Sequence, residues 1–226
     1  MCGRYTITAE WEELMLRFLL DIRPGKYQPR YNAAPGQWIP AIIGADHAEA
    51  GRRMGELRWG LVPSWSKDDK SAFRMINARS ETVAEKPAFR SLLARKRCIV
   101  PADGFYEWKV SGKTKQPMRF RMKDRSLFGM AALYDTWQTP DGSKLHTCTI
   151  LTTSANTLVS PIHERMPVIL NGEAERLWLN RRIQEEKEFL PLLSPYPAEA
   201  MEFYAVDPKV GRVQYDEADC IEPIIS

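Results

Sequence analysis

Residues 97–122 read RCIVPADGFYEWKVSGKTKQPMRFRM, and this stretch decides the fold class. Segments 98–100, 105–110 and 118–122 are short runs rich in β-branched and aromatic residues, the composition of strands. Ser111-Gly112 supplies a turn between the second and third, so these two are expected to pair as a hairpin. Downstream, 127–137 and 146–152 repeat the arrangement around Pro140-Asp141-Gly142. Upstream, 38–43 and 56–62 read as further strands. Hairpin-length connections predict a mostly antiparallel sheet, curled toward a barrel, although strand order is not fixed by the pattern.

Helices flank this β-rich middle. Trp11, Leu14, Met15, Phe18 and Leu19 recur at the spacing of one buried helical face. Thr8 is a candidate N-cap, and Pro24-Gly25 a stop. A second helix is expected over 88–96, with Phe89, Leu92 and Leu93 inward, and a third between Glu173 and Leu190. No internal repeat, low-complexity tract or linker interrupts the chain. The expectation is an α+β fold: one β-rich domain over residues 1–226.

With 226 residues, 44% hydrophobic and 27% charged, the chain has ample material for a core. A net charge of +3 neither demands nor excludes a nucleic-acid partner. Basic clusters at Arg95-Lys96-Arg97, 113–115 and 119–123 read as solvated faces. No apolar run is long enough for a membrane span. LMLRFLL follows Glu10, Glu12 and Glu13, the wrong charge order for a signal peptide. Four scattered cysteines without C-x-x-C spacing and only three histidines argue against a metal site. Without export, reduced thiols in a cytoplasm are expected.

Several stretches mix polar groups with aromatic ones. In GFYEW, Phe105 and Glu107 share one strand face while Tyr106 and Trp108 share the other. A carboxylate among aromatics loses solvation, which raises its pKa toward that of a general acid at neutral pH. A solvent-facing glutamate is the alternative, and both stay open. His163 lies in IHERMP between two prolines, in a stretch expected to be irregular. It is suited to proton transfer, and Arg165 to bidentate phosphate binding. A surface loop is equally compatible. Asn77 and Arg79 alternate, so an extended backbone aims both at one face. Trp59, Trp65, Tyr106 and Trp108 mean either core packing or base stacking beside Arg4, Arg58, Arg79 and Arg165.

Cys2 is the most telling residue. A second residue this small normally allows removal of Met1, which leaves an α-amine beside a thiol. The amine has an ordinary pKa of about 7.7–8.0 and the thiol about 8.5, so both are partly active in the cell. With an aldehyde the amine forms an imine and the thiol closes onto the same carbon, giving a five-membered thiazolidine.

The ordered set MCGRY, YNAAP, RWGLVPSW, NARSET, VPADGFYEW, TTSAN and IHERMPVIL resembles the SRAP family, the SOS-response-associated peptidase domains understood as abasic-site processing proteins. The likeness runs from Met1 to about Leu170. It implies the SRAP fold and a covalent crosslink between Cys2 and an abasic site in single-stranded DNA, as part of DNA damage repair. By that resemblance Cys2, Asn77, Glu107 and His163 are catalytic. Arg4, Trp65, Arg79, Trp108 and Arg165 would contact DNA. No metal or other cofactor is implied, and the default is a monomer acting in the cytoplasm, on the nucleoid when bound to DNA. Weak lyase activity and self-removal of Met1 are secondary expectations. Two other readings stay open: a thiol peptidase using Cys2 and His163, and a non-catalytic single-strand binding module.

Overall fold

The computed structural model describes residues 2–20, 27–44 and 51–224. In chain order these form β1 (Tyr5–Ile7), α1 (Trp11–Phe18), β2 (Arg30–Ala33), β3 (Trp38–Ile43), β4 (Arg53–Trp59), β5 (Asn77–Arg79), α2 (Pro87–Arg95), β6 (Arg97–Ala102), β7 (Gly104–Ser111) and β8 (Thr114–Met122). They continue with β9 (Phe128–Gln138), β10 (Lys144–Ser154), β11 (Arg165–Pro167), β12 (Ile169–Leu170), α3 (Gly172–Leu179), α4 (Glu186–Phe189) and β13 (Met201–Ala205).

Two sheets result. One has five strands in the order β13-β8-β7-β1-β2, every neighbour antiparallel. In the other, β10 pairs β4, β4 pairs β3, β3 pairs β6, β6 pairs β9 and β9 returns to β10. That circuit is a closed five-stranded barrel with a single parallel contact, β10 on β4. Closure explains why β9 and β10 are buried along most of their length instead of alternating. The short strands β5 and β11 flank β10, and β12 joins β9.

The expected hairpins are present as β7–β8 and β9–β10. Other expectations are corrected. Thr8 does not cap α1, since Glu10 holds that position; the Thr8 amide and hydroxyl are used by the Asp103 carboxylate instead. The α1 helix stops at Leu19 in the left-handed region, while Pro24 and Gly25 lie outside the described residues. The stretch between Glu173 and Leu190 holds two helices, because Asn180 turns the chain after α3. IHERMP is not wholly irregular: Arg165–Pro167 is a strand, since Pro167 needs no donor there.

Two basic clusters are not wholly solvated faces, since one arginine of each is buried. Arg97, from Arg95-Lys96-Arg97, is 3% exposed and donates to the carbonyls of Leu93, Ala94, Trp178, Asn180 and Ile183. Its guanidinium also lies 3.7 Å from the Phe189 ring centre. One buried cation thus ties α2, α3 and α4 to the barrel. Arg119 is buried against Asp103 at 3.0 Å.

Arg97→Ala would leave these carbonyls without their charged donor, at about 3 kcal/mol or more. For a chain of this size that is about 6–12 °C in thermal midpoint, checked by calorimetry. A midpoint unchanged from wild type would show that the helices hold without it.

Candidate functional site

The site lies where the N-terminal strand meets the barrel. Cys2 precedes β1, whose Tyr5 and Thr6 pair with Phe105 and Gly104 of β7. The ladder extends outward, with the Tyr106 amide donating to the Arg4 carbonyl at 3.0 Å. Asp103 accepts from the hydroxyls of Thr6 and Thr8 and from the Thr8 amide, fastening β1 against fraying. Cys2 is fully buried as a result. Burial pushes its thiol well up, and the nearby Glu107 charge pushes it in the same direction.

Glu107 is 3% exposed, so the solvent-facing alternative is excluded. Burial raises its carboxyl to about 7, so at neutral pH the protonated and ionised forms are both well populated. Its Oε1 lies 3.9 Å from His163 Nδ1. That same Nδ1 lies 3.0 Å from the Arg165 amide and 3.1 Å from the Arg165 carbonyl oxygen, so a neutral imidazole accepts from the first or donates to the second according to its tautomer. Partial burial lowers the His163 pKa and favours this neutral form.

Beside them opens a cavity of about 540 Å³ whose lining includes Asn77, Arg79, Thr152, His163, Glu164 and Arg165. Strand β10 organises it: Ile150 pairs with Asn77, Thr152 with Arg79, and Ser154 with Arg165. Asn77 and Arg79 share a strand edge as the alternation predicts. The Asn77 amide nitrogen reaches the Ile150 carbonyl at 3.4 Å. Its buried Oδ1 has no hydrogen-bond partner among the described residues, an acceptor in reserve.

Of the residues expected to meet DNA, Arg4 and Trp108 come together, the guanidinium 5.9 Å from the ring centre. Arg4 also donates to the Val210 carbonyl at 3.1 Å. Trp65 stands apart from the cavity lining, 68% exposed on the loop after β4. That loop is firmly held: the Ser64 amide donates to Asp135, and Trp137 Nε1 to the Ser66 carbonyl. It leaves β4 through Gly60 at φ +125°, where an added Cβ would meet the Ala72 carbonyl oxygen at 2.9 Å. Trp59 and Tyr106 are core residues, with Trp59 Nε1 bonded to the Ile76 carbonyl.

Sequence reasoning missed Arg74 and Lys86, which also line the cavity. Neither carries a motif signal beyond its nearness to NARSET. It also missed that Arg165 is already engaged, by Glu81 of that motif. Among the described residues no group of histidine, cysteine or acidic side chains is arranged to hold a metal ion. No helix there is long and apolar enough to cross a membrane.

Known proteins resemble this chain across nearly its whole length. The sequence model of the family described as SOS response associated peptidase (SRAP) matches residues 1–213. A Bacillus subtilis protein named abasic site processing protein YoqW is 47% identical over 225 residues, covering 98% of this chain and 99% of its own. The chicken (Gallus gallus) abasic site processing protein HMCES is 36% identical, over 90% of this chain and 68% of its own. A crystal structure of a Bacteroides thetaiotaomicron protein superposes with a TM-score of 0.88 at 28% identity, covering 99% of this chain and all (100%) of the other. The chain belongs to the SOS response associated peptidase (SRAP) family.

Proposed function

We propose that the protein processes abasic sites in single-stranded DNA by linking Cys2, freed of Met1, to the lesion as a thiazolidine. The carrying observation is the convergence of Cys2, a Glu107 carboxyl raised to about 7 and His163 beside a cavity edged with cations. Relatives named abasic site processing proteins support the reading.

The chemistry assigns each group a task. An abasic sugar is mostly a closed hemiacetal, and as its C1′–O4′ bond breaks the ring oxygen must gain a proton while the C1′ hydroxyl gives one up to become the aldehyde oxygen. His163, at the cavity wall, is suited to give the ring oxygen its proton. The Cys2 amine then attacks C1′ to form a carbinolamine. Glu107 donates the proton with which the hydroxyl leaves as water, giving an imine. The thiol adds to that carbon, its proton passes to nitrogen, and the ring closes with one water lost overall. Asn77 Oδ1 accepts from a sugar hydroxyl. Arg79 and Arg4 neutralise phosphate, and Trp108 and Trp65 offer faces to unstacked bases.

A thiolate-first peptidase is less well served, because burial holds the Cys2 thiol protonated. Self-removal of Met1 would need Glu107 or His163 to take that proton first. Retained Met1 in protein made without methionine aminopeptidase would exclude it.

On a denaturing gel, the protein and an abasic oligonucleotide should give a shifted covalent band, absent for Cys2→Ala. A band undiminished in Cys2→Ala would defeat the proposal. The imine also permits β-elimination, so a minor cleaved product is expected, and it should vanish when the terminal amine is blocked.

The pH dependence has a definite sign. The amine must be neutral, so the rate rises through about 8, while Glu107 must be protonated, so the rate falls above about 7. Their product is a bell with its maximum between these values. Glu107→Gln should crosslink about 100-fold or more slowly and lose the alkaline fall. Its folded state should also gain on wild type as pH rises from 4.5 to about 7, since the buried carboxyl no longer has to ionise. A bell that survives in Glu107→Gln would assign the alkaline limb elsewhere.

A further inference from the structure

Arg165 differs from the other cations at the cavity in already holding an anion. Its Nη1 and Nη2 donate to the two oxygens of Glu81 at 2.6 and 2.8 Å, a bidentate pair. A phosphate of the DNA backbone would use the same two donors in the same plane. Arg74, Arg79 and Lys86, which also line the cavity, carry no ion pair among the described residues. Glu81 follows Arg79 by two residues, on the single helical turn Ser80–Thr82, and is 49% exposed. Its charge is secure, because the Arg165 hydrogen bonds hold its carboxyl below the usual range.

The guanidinium does not need Glu81 to keep its place. Nη2 also donates to the Thr152 carbonyl at 2.7 Å, and the Arg165 side chain is only 12% exposed. Removing Glu81 therefore frees two donors without releasing the fork.

We propose that Glu81 is a specificity determinant, a built-in competitor that occupies the phosphate-binding fork of Arg165 in the free protein. The inference rests on the proposed DNA-processing role. An intact strand must displace this carboxylate to use Arg165 and so gains little from it. An abasic strand gains instead from the covalent and hydrogen-bonding groups around Cys2, which Glu81 does not touch. Glu81 thereby lowers affinity for undamaged strands more than it lowers capture of the lesion, widening the gap between the two.

Glu81→Gln keeps the shape and removes the competing charge. Glu164 is the internal control, an exposed acid lining the same cavity without an ion pair among the described residues. Affinity for an undamaged single-stranded oligonucleotide is measured by fluorescence anisotropy across a salt series. Crosslinking of the abasic oligonucleotide is followed in parallel. Glu81→Gln should bind the intact strand about two- to fivefold more tightly, the range an exposed ion pair spans. Its dependence of log affinity on log salt should steepen by about 0.7, one more phosphate neutralised. Crosslinking at saturating DNA should not change, and Glu164→Gln should move affinity and slope less than Glu81→Gln.

Equal effects of the two variants would show bulk charge at work and overturn the inference. Unchanged or weaker binding by Glu81→Gln would overturn it too, the weaker case making Glu81 a holder of Arg165. Failure of the wild type to bind the strand at all would remove the underlying functional reading as well. Failure of crosslinking alone, with binding intact, would count against Cys2 chemistry and leave the Glu81 comparison decisive.

Discussion

The constraint on which the site depends is the burial of one carboxyl. Glu107 is carried on β7, out of water, and His163, in the connection between β10 and β11, lies 3.9 Å away. Burial holds its pKa near 7, so the group keeps or releases a proton at little cost in the cell. Water at this position would return it to an ordinary surface glutamate and leave Cys2 beside a full negative charge. The fold thus maintains dryness at a point where a strand end, normally prone to fraying, must also come to rest.

Three features answer that demand. Asp103 gathers Thr6, Thr8 and Arg119, fastening β1 across β7 and β8. Closure of the barrel through β9 and β10 buries both faces of β10, which gives a rigid edge to β5 and β11. Arg97 then fixes the helices that cover the barrel. Asp103 and Arg97 are charged groups drawn in from solvent with their partners supplied, which favours one arrangement over many near alternatives.

Much of this was legible in the sequence. The β7–β8 and β9–β10 hairpins follow from apolar runs around turn residues, because local alternation and turn chemistry fix adjacent antiparallel pairs. The shared face of Asn77 and Arg79 follows from the two-residue period of a strand. Strands of three residues, such as β1 and β11, were not legible, since their pairing is decided by partners far along the chain. Nor was the burial of Arg97 and Arg119, which read as surface charge until five carbonyls and an aspartate surround them. At the site, residue types suggested Cys2, Glu107 and His163 singly, but only the fold determines that they converge. Whether Glu107 was dry or solvated could not be decided from its neighbours in sequence, because Trp108 is itself partly exposed and the dryness comes from β1 and the barrel.

The chemistry also separates the terminus from the thiol. Cysteine elsewhere in this chain, at positions 98, 148 and 220, is buried without an adjacent free amine. Only Cys2, after loss of Met1, presents both nucleophiles to one carbon. The most direct measurement is the intact mass of the protein before and after incubation with an abasic oligonucleotide. Before, the mass should correspond to the chain without Met1; after, to that chain plus the oligonucleotide minus one water, and stable to denaturation. A chain that keeps Met1, or one that lacks it and gains no mass, would contradict thiazolidine formation at Cys2.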